Sequence, residues 1–299
     1  MRVNSIEIIE LEQGLASISA DLRNRAVDIL EGGRVLFLPH HGFQVTQRER
    51  KLLSPSVVGK SKNVSYDPRT GAVGGAALSG GDAEMLRDMI ARFSDFAQEL
   101  LLALIPRYKD GIVRARASFR PVEIEGRATS WRKDDSRLHV DSFPSAPTQG
   151  KRILRLFSNV NPEGRGRVWR LGEPFEQMAK RFLPSIKRPL PGSAVLLKIL
   201  HVTKSERSEY DHIMLQLHDR MKADTQYQKD VEQMEYEFPP GSTWITFADQ
   251  VSHAAMRGQY QFEQTFLVPG SLLQDEHRSP LRILERLVGR ALVCEPVRT

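Results

Sequence analysis

Apolar residues change their spacing along this chain, and the changes mark its elements. Between 18 and 31, Ile18, Leu22, Ala26, Ile29 and Leu30 form one helical stripe that Gly32-Gly33 stops. The uninterrupted run from Arg34 to Pro39 predicts a strand inside a sheet, and Thr46 to Leu53 a brief helix closed by Ser54-Pro55. Residues 57–81, rich in Gly, Ser and Lys, predict an extended loop with a hairpin around Val64-Ser65-Tyr66, a candidate mobile flap. Asp82 then caps a helix reaching to about Pro106, with Met85, Met89, Phe93, Phe96, Leu100 and Leu104 on its buried side.

From Ile112 the pattern becomes alternation, through Val113 to Phe119 and again through Arg137-Leu138-His139-Val140-Asp141. A strand over Arg152 to Val160 stops at the turn Asn161-Pro162-Glu163-Gly164. A helix is expected from Glu173 to Phe182, a strand from Ala194 to Leu200, and a polar helix inserted from about Ser208 to Lys222. Met234 to Phe238, Thr243 to Phe247 and Gln261 to Val268 supply further strands. Last comes an amphipathic helix, about 280–293, with Leu281, Leu284, Leu287, Val288 and Ala291 opposite Arg282, Arg286 and Arg290. With no repeat or linker, the expectation is one domain over 1–299. Its class is α+β, mainly β: a double-stranded β-helix (jelly roll) at about 110–270, backed by helices, with an N-terminal helical portion and a helical insertion.

Composition narrows the setting. A chain of 299 residues, 40% hydrophobic and 27% charged, buries an ample core without staples, and its single cysteine, Cys294, leaves no internal disulfide. A reducing compartment, the cytoplasm, is expected. The N-terminus carries acids within its apolar run, unlike a signal peptide, and no stretch approaches the ~20 apolar residues of a membrane span. A net charge of +6 favours an anionic partner. The lack of a long Lys/Arg tract or interleaved aromatic platform argues against nucleic acid. The terminal helix fits an anionic membrane surface or a contact between subunits of a homo-oligomer.

Alternation places His139 and Asp141 on one face of an extended strand, one pleat apart. His253, far along the chain, completes a two-histidine, one-carboxylate set, the arrangement of non-haem Fe(II) oxygenases. A jelly roll brings such distant residues together because alternate side chains line its interior. His40, His41, His201, His212 and His218 sit beside loops, at a strand end or on a polar helix, where a solvated or satisfied imidazole is expected. Iron of this kind needs an electron-donating co-substrate, for which 2-oxoglutarate is the usual choice alongside O2. Its distal carboxylate calls for a cation. Arg155, mid-strand in an apolar run, is the first candidate and Arg127 the second.

The segments Gly126 to Pro144, Arg155 to Pro162, and Ser252-His253-Ala254-Ala255 through Glu263-Gln264-Thr265 together resemble the Kdo hydroxylase family. Its members are Fe(II)/2-oxoglutarate-dependent dioxygenases that hydroxylate 3-deoxy-D-manno-oct-2-ulosonic acid (Kdo) of the lipid A-linked inner core at carbon 3. The resemblance implies iron at His139, Asp141 and His253, and a lipid-linked Kdo substrate met at the inner face of the inner membrane. Many 2-oxoglutarate enzymes place an arginine in the strand after the second histidine. Here that strand reads Phe262-Glu263-Gln264-Thr265-Phe266, with Gln264 at the corresponding place. Because Kdo and lipid A are anionic, Arg132, Lys133, Arg165, Arg167 and Arg170 become a candidate receiving rim, and Trp131 and Trp169 candidates to stack on a sugar. Two alternatives stay open: the same chemistry on another sugar, lipid or small acid, and a non-catalytic jelly roll that binds anionic glycans or nucleic acid.

Overall fold

A computed structural model of the chain describes residues 5–11, 14–15, 18–127, 129–190 and 192–293. Helix α1 (Ala20–Glu31) is capped by the Ser19 hydroxyl, which accepts from Leu22 N, and turns Ala26, Val27, Ile29 and Leu30 inward. Strands β1 (Ile6–Ile8) and β2 (Val35–Leu38) pair in parallel beside it. The hairpin foreseen in the Gly-rich segment is β3 (Val64–Asp67) with β4 (Ala72–Gly74). Helix α2 (Gly80–Leu104) begins after Ser79, ahead of the expected Asp82, whose carboxylate instead pairs with Lys51 at 2.6 Å.

The remaining strands are β5 (Val113–Arg120), β6 (Arg152–Asn159), β7 (Arg167–Leu171), β8 (Met234–Phe238), β9 (Thr243–Phe247), β10 (His253–Arg257) and β11 (Gln261–Val268). Eight form one sheet in the order β1-β2-β9-β6-β11-β5-β3-β4, antiparallel apart from β1/β2. Three form a smaller antiparallel sheet, β10-β7-β8.

Strand alternation sorts the large sheet into two unlike faces. Leu154, Leu156, Phe119, Phe262 and Phe266 pack with α1 and α2 in the largest apolar cluster. On the other face, Phe157 and Trp244 meet Trp169, Leu171 and Phe238 of the small sheet, so the sheets face each other. Arg155 shares the parity of Phe157, and Arg120 and Glu263 lie on that same inner face. The helix side is therefore mainly apolar, while the inter-sheet side carries charge.

Behind the small sheet sit α3 (Phe175–Phe182), α5 (Glu209–Ala223), the short α6 (Thr225–Asp230) and α7 (Pro280–Val288). Leu138 and Val140 belong to their apolar cluster. Three expectations need correction here. The run from Ala194 to Leu200 is a helix, α4 (Ser193–Ile199), because its Ala, Leu and Lys favour helix and no strand pairs with it. β7 was not foreseen, since its two arginines disguise the alternation. The terminal helix stops at Gly289, which adopts a left-handed conformation with φ 73°.

That helix also uses both of its faces within the chain. Ile283 and Leu284 are buried with the α3 cluster. Arg282 pairs with Glu285 at 2.7 Å, Arg286 with Glu176 at 3.1 Å, and Arg290 with Glu209. Both stripes thus have partners within the chain, with Arg286 still 54% exposed. No helix among the described residues is long and apolar enough to cross a membrane.

Candidate metal centre

The strand expected over Arg137 to Asp141 forms only an isolated bridge at His139, yet with Leu138 and Val140 facing the helices, His139 and Asp141 turn the opposite way, between the sheets. His139 N donates to His253 O at 3.0 Å and His253 N to His139 O at 2.9 Å, so the two histidines sit directly across a β-bridge. Asp141 N donates to Ala248 O at 2.8 Å. Each imidazole is oriented the same way: Nδ1–H donates to a backbone carbonyl, Arg137 O at 2.7 Å for His139 and Val251 O at 2.8 Å for His253. Nε2 is left as a lone pair facing the cavity, the tautomer a metal ligand needs. His139 Nε2 lies 3.6 Å from Asp141 Oδ1, and ligand atoms of His139, Asp141 and His253 all fall within 4.8 Å of one another.

The surroundings keep these groups ready. Burial, then the neighbouring His253, pushes the His139 imidazole well below its ordinary value, and burial lowers His253 too, so protons compete weakly for either nitrogen. The Trp169 ring stacks on His253 with centroids 5.1 Å apart and planes at 20°. Asp141 Oδ2 lies 2.9 Å from Arg155 Nε, off the direction a hydrogen bond requires, so the pair is held by charge and the oxygen keeps bonding capacity. Two neutral nitrogens and one carboxylate, convergent and partly unsatisfied, fit Fe(II).

These groups open onto a cavity of about 240 Å³ whose walls carry seven cations, Lys62, Arg120, Arg132, Lys133, Arg155, Arg167 and Lys222, against Asp135, Asp141 and Glu263. Glu263 ties Arg155 at 2.9 Å and Arg120 at 2.7 Å. Burial would raise the Asp135 carboxyl, but Arg120 and Lys62 outweigh it and hold it at about 2. Arg167 is different. It is 2% exposed, donates to Gly258 O, and leaves Nε without a partner. Among the described residues no ion pair holds it. Burial, reinforced by repulsion from Arg120, lowers it to about 9. Asp135 and Glu123 act on it only at longer range, and a buried guanidinium with no direct ion pair, beside a candidate iron site, fits an anionic co-substrate.

A family model described as 3-deoxy-D-manno-oct-2-ulosonic acid (Kdo) hydroxylase matches residues 14–291. The chain belongs to the Kdo hydroxylase family. Among solved structures, this Kdo hydroxylase family member is similar to KdoO, a Kdo hydroxylase described as a non-haem Fe(II) α-ketoglutarate-dependent dioxygenase. The KdoO complex with cobalt(II) is 44% identical, covers 98% of this chain and 99% of its own, and superposes with a TM-score of 0.95. The complex with α-ketoglutarate (2-oxoglutarate) and Fe(III) is 44% identical, covers 99% and 100%, and gives 0.94. That with succinate and Fe(III) is 44% identical, covers 98% and 99%, and gives 0.93. No curated protein sequence matches the chain.

In this Kdo hydroxylase family member the residues picked from sequence divide clearly. His139, Asp141, His253 and Arg155 come together. Arg127 does not join them: it donates to Val122 O at 2.9 Å and Glu123 O at 2.8 Å and borders a neighbouring pocket. Gln264 points to the opposite face of β11, where it accepts from Ser94 Oγ at 2.6 Å and donates to Ala115 O at 2.9 Å. Arg132 and Lys133 line the cavity, and Trp131 lies beneath the Arg132 guanidinium at 4.1 Å, outside the lining. Trp169 is a buried wall residue, and Arg167 is a wall residue too instead of a rim cation. Arg165 pairs outward with Glu163, and Arg170 donates to Ser136 O.

Sequence reasoning missed Lys62, Arg120, Asp135, Glu263, Lys222 and His218. The His218 ring meets His139 edge-on at 5.3 Å, and its Nδ1 lies 3.0 Å from Asp219, whose other oxygen accepts from Arg132. Arg120 and Glu263 have a sequence signal, inward parity with Ser118 and Gln261, that becomes readable once the apolar parity of Phe119 and Phe262 is assigned to the helix side.

Proposed function

We propose that this protein hydroxylates Kdo of the lipid A-linked inner core at carbon 3, converting 2-oxoglutarate and O2 to succinate and CO2 as one oxygen atom enters the sugar. The observation that carries this reading is the convergence of His139, Asp141 and His253 beside Arg167, a buried cation whose Nε has no hydrogen-bond partner. When bound, iron supplies the oxidising chemistry for the C–H bond, and His139 Nε2, His253 Nε2 and an Asp141 carboxylate oxygen are the groups that hold it.

The chain's own groups position the reactants. The carbonyls of Arg137 and Val251 fix both imidazoles as Nδ1–H tautomers, and Trp169 holds the His253 plane. Arg167 and Arg155 receive the distal carboxylate of 2-oxoglutarate, the first through its unpartnered Nε and the second by projecting beside Asp141. Lys62, Arg132, Lys133 and Lys222 present positive charge to the acidic sugar and its phosphorylated carrier. Lys222 is anchored by donating to Arg132 O at 3.0 Å. The facing sheets are best read as a jelly roll acting as a single catalytic domain, working at the cytoplasmic face of the inner membrane, where a lipid-linked acceptor is met.

The test is succinate release from the Fe(II)-reconstituted protein, with and without a Kdo-lipid A acceptor. Release that rises strongly with the acceptor supports the reading. Release that ignores this acceptor but rises with another sugar or acid keeps the chemistry and overturns the substrate. The absence of any 2-oxoglutarate turnover overturns both.

A further inference from the structure

Eight large apolar side chains stand exposed among the described residues, and six of them, Leu190, Val195, Leu196, Ile199, Leu200 and Val202, fall in one short stretch around α4. Their exposures run from 47% for Val195 to 79% for Leu190. Val195 with Ile199, and Leu196 with Leu200, are one helical turn apart and share a face. Every other helix longer than α6 buries an apolar stripe, whereas α4 has no buried residue. Apolar surface concentrated this way marks an interaction site.

Charge selects the partner. Between 183 and 208 the sequence holds Lys187, Arg188, Lys198, Lys204 and Arg207, with Glu206 as its one acid. Glu206 is already taken by Lys198 at 3.1 Å, while Lys187, Arg188 and Lys204 are exposed. Apolar side chains flanked by cations match an anionic bilayer, with leucines entering the acyl boundary and the long cationic chains reaching headgroup phosphates. A second copy of the chain fits worse, because a self-complementary contact sets the same cations against themselves.

We propose that α4 and its flanks are the surface by which this protein sits on an anionic phospholipid membrane. The proposal deepens the reading above and rests on it for its purpose, since a lipid-linked acceptor is reached from the bilayer surface. The patch is tied to the site: Lys204 N donates to Ser145 O at 2.9 Å and Arg207 to Pro144 O at 2.7 Å, in the segment that leaves Asp141.

The experiment is co-sedimentation of the full chain with vesicles of phosphatidylethanolamine and phosphatidylglycerol, against phosphatidylcholine alone. It is run beside hydroxylation of a detached, water-soluble Kdo saccharide. The wild type should bind the anionic vesicles, less so as salt rises. Leu196→Ser/Ile199→Ser/Leu200→Ser and Lys187→Glu/Arg188→Glu should each weaken binding by roughly tenfold or more, with the soluble saccharide turned over at the wild-type rate. Vesicle binding by the triple variant equal to the wild type overturns the proposal, as does a wild type that ignores anionic vesicles. A triple variant that changes sedimentation mass with vesicle binding intact assigns the patch to self-association and also overturns it. Failure of the wild type to hydroxylate any Kdo acceptor counts against the catalytic reading, while the vesicle result still decides the surface.

Discussion

Replacing Arg167 with methionine should move stability and function in opposite directions. The wild-type guanidinium is 2% exposed and lowered to about 9, and the fall from its ordinary 12.5 corresponds to roughly 5 kcal/mol working against the buried charge. Arg167→Met removes that cost but orphans the Gly258 carbonyl, which returns about 1–3 kcal/mol. Without co-substrate the variant should therefore be more stable by about 2–4 kcal/mol, a gain of several degrees in Tm. With co-substrate the order reverses in function: losing a desolvated charge partner costs about 2–5 kcal/mol of 2-oxoglutarate binding, or roughly thirtyfold or more in the concentration required. Calorimetry with and without 2-oxoglutarate, and succinate release against 2-oxoglutarate concentration, read the two effects separately. A variant that is less stable than wild type with an unchanged 2-oxoglutarate requirement would refute the reasoning and make Arg167 a structural residue.

Further outcomes can be checked independently. His139→Ala, Asp141→Ala and His253→Ala should each abolish turnover and weaken Co(II) binding while circular dichroism stays native; activity within about tenfold of wild type in any of them would remove it from the metal site. Arg155→Ala should raise the 2-oxoglutarate requirement through the same loss of a charge partner, yet leave Co(II) affinity equal or higher, because Asp141 loses a competing cation. Weakened metal binding in that variant would show that Arg155 instead holds Asp141 in place. Asp135, held at about 2 against an ordinary 3.8, contributes about 2 kcal/mol that is fully present above about pH 4 and fades as pH falls through its folded value. Asp135→Asn should remove that acid limb from urea-unfolding profiles, and an unaltered limb would assign it to other carboxylates.

Helical stripes and His-x-Asp alternation made α1, α2 and the candidate metal ligands legible, because in each case a local period states which face is buried, whereas α5, read as a polar insertion, buries Ile213, Met214 and Leu217. What stayed hidden depends on partners remote in sequence. Parity along β11 does not reveal which of Glu263 and Gln264 faces the His139, Asp141 and His253 cluster until Phe262 and Phe266 are known to pack on α2. Arg167 looked like a surface cation because nothing local signals that β7 lies between β8 and β10. The cationic face of the terminal helix read as unpartnered because Glu176 and Glu209, which pair with Arg286 and Arg290, arrive from other elements. The α4 segment is ambiguous in sequence because a short apolar run fits a strand as well as a helix, and here it is an exposed helix.

The central claim is that this cavity delivers an oxygen atom from O2 to Kdo. It is tested most directly by supplying the Fe(II)-loaded protein with 2-oxoglutarate, Kdo-lipid A and ¹⁸O2, then following the product by tandem mass spectrometry. The account predicts one labelled oxygen on the Kdo fragment, located at carbon 3, with one succinate per product. Succinate formed without labelled sugar, or label found on the lipid, would contradict it.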